Sequence, residues 1–181
     1  MANKFFNFSY DPARSGYDTD QWKATTGTPA ASGNYLRLNE AGVIHLKDLL
    51  RGEFTFGVIV PADPTSGDSR QIGLTQIGKD VYAYFDITDT VFSAKTSDGT
   101  NSKSVTLDWD SDWSTATTDF TIRWEAGLVM FFINGTCVAT ISNNGDTTYV
   151  PNDVMSLYIA NAGSDNMDVA YVEAKGVQSY V

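Results

Sequence analysis

Three carboxylates in alternation, Asp108, Asp110 and Asp112 of Asp-Trp-Asp-Ser-Asp-Trp, form the densest run of reactive groups in the chain. Hard cations take several carboxylate oxygens, so calcium is the ligand such a run would suit. An EF-hand needs a glycine at its sixth position and a distal glutamate, and neither is present. The flanking Ser and Thr residues read as a solvated turn. His45 is the single histidine and Cys137 the single cysteine. A zinc site takes three or four N or S ligands, which these two do not supply. Nothing sets either beside a serine or a carboxylate as a nucleophile and base. His45 in Val-Ile-His-Leu-Lys reads as structural, and Cys137 in Thr-Cys-Val-Ala-Thr-Ile as a small hydrophobe. No catalytic set, no metal site and no cofactor are expected, apart from calcium at the aspartate run. Trp109 and Trp113 sit in that run. A flat aromatic ring with a polar edge stacks on a sugar, and it equally well plugs the end of a β-sandwich.

The elements that would position these groups are strands. Apolar runs recur at intervals of about 8–12 residues with turn signals between them, the rhythm of an all-β domain. In Val81-Tyr-Ala-Tyr-Phe-Asp-Ile87, the odd positions are apolar and point to a core, so Tyr82, Tyr84 and Asp86 point away. In 120-FTIRWEAGLVMFFINGTCVATI-141, Phe120, Ile122, Trp124, Val129, Phe131 and Ile133 form the core set. Arg123, Met130 and Phe132 lie opposite them. A row of apolar residues on an outward face is expected to be covered by a loop, a ligand or a partner. Gly42–Leu46 reads as a strand followed by one short turn of helix. 61-PADPTSGDSR-70 reads as a loop.

The 181 residues suit one large all-β domain, with 42% hydrophobic and 13% aromatic residues to build its core. The formal net charge of −10, with no basic stripe, excludes a phosphate backbone as partner. No apolar run is long enough to span a membrane. The N-terminal segment lacks the apolar centre of a signal peptide, so synthesis in the cytoplasm without secretion is expected.

The order Phe-Thr-Ile-Arg-Trp, a short glycine turn, Val-Met-Phe-Phe-Ile-Asn-Gly and Thr-Cys-Val-Ala resembles the concanavalin A-like lectin/glucanase superfamily, which includes laminin-G-like modules and laminarinase-type glucanases. Tyr35-Leu-Arg-Leu-Asn-Glu-Ala-Gly resembles its early strand and hairpin. Met155-Ser-Leu-Tyr-Ile-Ala-Asn161 and Met167-Asp-Val-Ala-Tyr-Val172 resemble its last two strands. The resemblance implies a jelly-roll sandwich of two antiparallel sheets, over residues 31–181, whose concave sheet holds a glycan. It places Arg123, Met130 and Phe132 on that sheet, joined by Tyr82 and Tyr84 if their strand belongs to it. With Trp109 and Trp113 these residues make the expected glycan or partner face. Residues 1–30 are expected to be an N-terminal extension, partly packed on the domain or serving to dock it.

Configuration-retaining hydrolases of that superfamily resemble a signature, Glu-x-Asp-x-x-Glu, on one strand. Retention needs a nucleophilic carboxylate and an acid about 5–5.5 Å apart. The chain has no such motif, so it is expected not to be an enzyme. A sandwich without a signal peptide or catalytic pair suits a non-catalytic phage or viral surface protein, a head decoration or head fibre. Such a protein would be homo-oligomeric, bound to a capsid or other virion protein, and able to touch a cell-surface glycan. The alternatives are a soluble glycan-binding lectin and a β-glucanase-like glycosidase.

Overall fold

A computed structural model describes residues 4–61, 68–88 and 91–178. In chain order the first elements are β1 (Lys4–Tyr10), the four-residue helix α1 (Pro12–Ser15), β2 (Trp22–Thr26), β3 (Ala30–Ser32), β4 (Tyr35–Leu38) and β5 (Ala41–His45). Next come β6 (Leu49–Ile59), β7 (Ser69–Gln76), β8 (Val81–Thr88), β9 (Val91–Asp98) and β10 (Ser102–Leu107). After a 3₁₀ turn at Ser111–Ser114 follow β11 (Thr118–Glu125), β12 (Leu128–Ile133), β13 (Thr136–Ser142), β14 (Ser156–Asn161) and β15 (Met167–Gln178).

The strands form two antiparallel sheets. One has the order β13-β12-β11-β6-β15-β4-β3, with β1 paired to β15; the other runs β10-β9-β8-β7-β14-β5-β2. Period-two alternation explains the layering. Val81, Ala83, Phe85 and Ile87 of β8 are buried, as are Phe54, Phe56 and Val58 of β6, Phe120, Ile122 and Trp124 of β11, and Val129, Phe131 and Ile133 of β12. Each sheet contributes one apolar face, and the two faces close on each other as a sandwich. Aromatic rings lock the middle: Phe85 meets Phe120 and Phe131 edge-on at 5.2 and 5.1 Å between ring centres.

The first thirty residues do not stand apart from residue 31 onward. β1 pairs with the second half of β15, β2 pairs with β5, and Tyr10 and Trp22 are buried in the common core. The expected turn of helix after β5 is absent. The chain bends at Leu46, which is 53% exposed, and Leu49 re-enters the core as the start of β6. The near-helical spacing of Val43, Leu46, Leu49 and Leu50 therefore comes from two strand ends around a bend. Of the expected loop 61–70, residues 62–67 lie outside the described residues, and Ser69 and Arg70 already belong to β7.

Candidate functional site

The outer face of the seven-stranded sheet is built around β8. Because Val81, Ala83, Phe85 and Ile87 go inward, Tyr82, Tyr84 and Asp86 emerge on the other side. The register extends them into rows across the sheet. Tyr84 lies between Lys95 of β9 and Gly73 of β7, and Tyr158 of β14 follows beyond Gly73. Asp86 lies between Ser93 and Gln71 in the neighbouring row. The rings of Tyr82 and Tyr84 stack, with centres 4.4 Å apart and planes at 24°. Gly73 presents no side chain between Tyr84 and Tyr158, and a methyl there would come within 2.4 Å of the Ala83 carbonyl oxygen. On this face a cavity of about 330 Å³ is lined by Thr25, Gln71, Thr75, Tyr82, Tyr84 and Tyr158 among others.

Beside this aromatic floor sits an ion pair between a buried carboxylate and a partly exposed lysine. Asp86 is 3% exposed. One of its oxygens accepts from Lys95 Nζ at 2.5 Å and from Thr88 Oγ1 at 3.0 Å; the other accepts from Gln71 Nε2 at 3.3 Å. Burial raises the pKa of Tyr84 well above the ordinary phenol value, helped by the neighbouring Tyr82 and Asp86. Burial, and then Asp80, raise Tyr82 in the same way, and burial alone raises Tyr158. All three phenols therefore keep their protons at neutral pH and can donate hydrogen bonds. Half-buried rings, protonated hydroxyls, an amide and an ion pair make an amphipathic surface that suits a polyhydroxylated ring.

The outer face of the other sheet carries Arg123, Met130 and Phe132. The expected joint face of these three with Tyr82 and Tyr84 is thus divided between opposite sides of the sandwich, because β8 pairs with β7 and β9 and never with β11 or β12. Arg123 donates to one oxygen of Glu53 through Nε at 3.0 Å and Nη2 at 2.6 Å, and its guanidinium lies 5.3 Å from the centre of the Phe132 ring. On the same side Tyr171 donates to Asp119, the Thr55 and Thr121 hydroxyls meet at 2.9 Å, and Arg37 binds both oxygens of Asp168 at 2.7 Å.

Trp113 is 6% exposed and belongs to the core, edge-on to Phe92 and Phe120. Trp109 is half-buried and packs edge-on against Trp113 and Phe92. The 3₁₀ turn rolls Trp113 inward, and its carbonyl holds the Val60 amide at 3.0 Å, so the pair closes one end of the sandwich. Asp110 caps that turn, accepting from the Asp112 amide at 3.0 Å. Among the described residues no three His, Cys, Asp or Glu side chains gather as a metal site. His45 is buried against Phe8 and Trp22, and burial pulls its pKa down to about 4. Cys137 is exposed rather than core, because the register of β12 with β13 shifts between Phe131 and Phe132 and turns it outward.

The sequence reading did not select Tyr158, Gln71, Gly73 or Lys95. Alternation within Leu157-Tyr-Ile159 points Tyr158 outward, so its orientation was readable; its place beside Tyr84 was not.

This architecture is the concanavalin A-like jelly roll. No protein-family model matches the chain, and no curated protein matches it by sequence. Solved structures match its shape. The Crh5 transglycosylase in complex with NAG superposes with a TM-score of 0.75 at 18% identity, covering 94% of this chain and 83% of the other. The laminarinase catalytic domain from Thermotoga maritima gives 0.74 at 10% identity, covering 97% and 99%. SCLam, a non-specific endo-β-1,3(4)-glucanase from family GH16, gives 0.72 at 12% identity, covering 97% and 93%.

These likenesses correct two expectations. The expectation of a non-catalytic virion module, with no enzymatic role, rests on the missing signal peptide and the missing signature. The solved structures named above are instead glucanases and a transglycosylase, and they support the glucanase-like alternative. Absences in the sequence do not carry a role, whereas the arrangement of strands carries the likeness.

Proposed function

We propose that this chain acts on β-linked glucans, engaging the sugar chain on the outer face of the seven-stranded sheet. The observation that carries the reading is the stacked pair Tyr82 and Tyr84 set beside Gln71 and the Asp86–Lys95 ion pair, over a cavity. Sugar rings bury their C–H faces on aromatic rings while their hydroxyls need hydrogen-bond partners, and this face offers both. The jelly-roll likeness to glucanases and transglycosylases supports the same reading. Asp86 is the buried carboxylate of this face, held by Lys95, Thr88 and Gln71 beside the two stacked rings. Retaining hydrolysis needs a second carboxylate about 5–5.5 Å away. The outward positions of β8 hold tyrosines where such a partner on the same strand would stand.

The test is incubation with laminarin, lichenan and cello-oligosaccharides, following release of reducing ends, transfer products and binding heat. Binding of at least one glucan that Tyr82→Ala weakens about tenfold supports the reading, since tenfold corresponds to one lost contact of about 1.4 kcal/mol. Turnover abolished by Asp86→Asn with binding retained would give Asp86 its chemical role. Failure of every glucan to bind or react sinks the proposal.

A further inference from the structure

The strand register measures the glycan site. Tyr84 on β8 and Tyr158 on β14 occupy the same row, separated only by Gly73 on β7. Both point outward and both are half-buried. Two strand spacings separate them, about 10 Å at about 4.8 Å per strand. That distance is the reach of a disaccharide unit laid across the strands. Gly73 between them is buried and adds no side chain of its own, so the accessible surface of the row is that of the two rings. Thr25, exposed on the edge strand β2, lines the cavity at its far end.

We propose that Tyr84 and Tyr158 hold alternate residues of an extended β-(1→4)-linked glucan segment of at least three sugars, with the middle residue between the two rings. The inference rests on the glucan reading above and sharpens its substrate class. The chemistry follows from the linkage. Successive β-(1→4) residues flip over, so alternate residues present the same face along a nearly straight chain. A β-(1→3) chain curves, and its alternate residues do not repeat on a straight row. The outward row from Tyr84 to Tyr158 runs straight through the ladder and rewards the first geometry.

Calorimetric titration of the full chain with cellobiose, cellotriose, cellotetraose and laminaritetraose tests this. Cellotriose should bind about tenfold more tightly than cellobiose, the value of one further ring contact. Cellotetraose should add little more, and laminaritetraose should bind about as weakly as cellobiose. Tyr158→Ala should erase the gain from two sugars to three, and Tyr158→Phe should keep most of it. Thr25→Arg obstructs the far end of the cavity from an exposed position and should erase the gain. Equal affinities for cellobiose and cellotriose overturn the two-tyrosine ruler, as does a gain that survives both Tyr158→Ala and Thr25→Arg. Equal binding of both tetrasaccharides overturns the linkage preference and leaves the glucan reading standing. If none of the four binds, the glucan reading falls, and this inference with it.

Discussion

The two outer faces of the sandwich are built from the same alternation and end in different states. On the eight-stranded sheet the outward polar groups are committed to one another: Arg123 to Glu53, Arg37 to Asp168, Tyr171 to Asp119, Thr55 to Thr121. On the seven-stranded sheet the outward aromatic groups line a cavity beside the Asp86–Lys95 pair, whose carboxylate is buried. Groups paired with one another leave fewer free donors and acceptors for a ligand, although a cavity of about 380 Å³ lies beside Arg123 and Glu53. A surface with half-buried rings and protonated phenols leaves binding capacity for something else. The difference teaches that an outward row of large residues is informative only when its partners across the ladder are known.

Changes to charge pairs should separate the two faces most strongly. Lys95→Met strips the cation from Asp86, which is 5% exposed in its side chain. Leaving that carboxylate buried should cost about 3 kcal/mol in urea unfolding. Arg123→Met breaks the pair with Glu53, whose side chains are 45% and 37% exposed, and should cost less than about 1 kcal/mol. Similar losses from both variants would break the contrast.

The interior supplies the next largest effect. The folded-state pKa of His45 lies at about 4, below its ordinary 6.5, because burial disfavours the imidazolium. The unfolded chain therefore takes up the proton first as pH falls. The stabilisation is complete above the unfolded pKa, erodes below pH 6.5 and levels off below pH 4. Between pH 7 and 4.5 the wild type should lose about 2.5 kcal/mol more than His45→Phe, measured by chemical denaturation at both pH values.

Ligand binding should distinguish the faces by a smaller amount. Tyr84→Ala should weaken cellotriose binding about tenfold, or about 1.4 kcal/mol, while Phe132→Ala leaves it unchanged. The reverse result would move the site to the other sheet. The smallest effect is expected from Tyr171→Phe, which removes the phenol that donates to Asp119. It should lower stability by about 1 kcal/mol and leave glucan binding untouched.

Much of the fold was legible residue by residue. The strand expected over Val81–Ile87 is observed as β8, and the stretch 120–141 forms β11, β12 and β13. The inward residues of β8, β11 and β12 are those that alternation selects, because a side chain's face depends on backbone period alone. Where that period breaks, the reading fails. The irregularity opposite Phe132 turned Cys137 outward, and the bend at Leu46 imitated a helix. The candidate site was half legible. The outward direction of Tyr82, Tyr84 and Asp86 could be read from their own strand. Whether Tyr82 and Tyr84 join Arg123, Met130 and Phe132 turns on which strands are neighbours, and β8 lies in the other sheet.

The sequence by itself determined which residues of each strand turn inward and that two apolar faces must meet, since both follow from local alternation and the exclusion of apolar surface from water. Only the tertiary structure decided which strands lie side by side. Pairing joins residues as distant as Tyr84 and Tyr158 through Gly73, and local pattern carries no information about it. The surface chemistry, and with it the glucan reading, depends on that pairing.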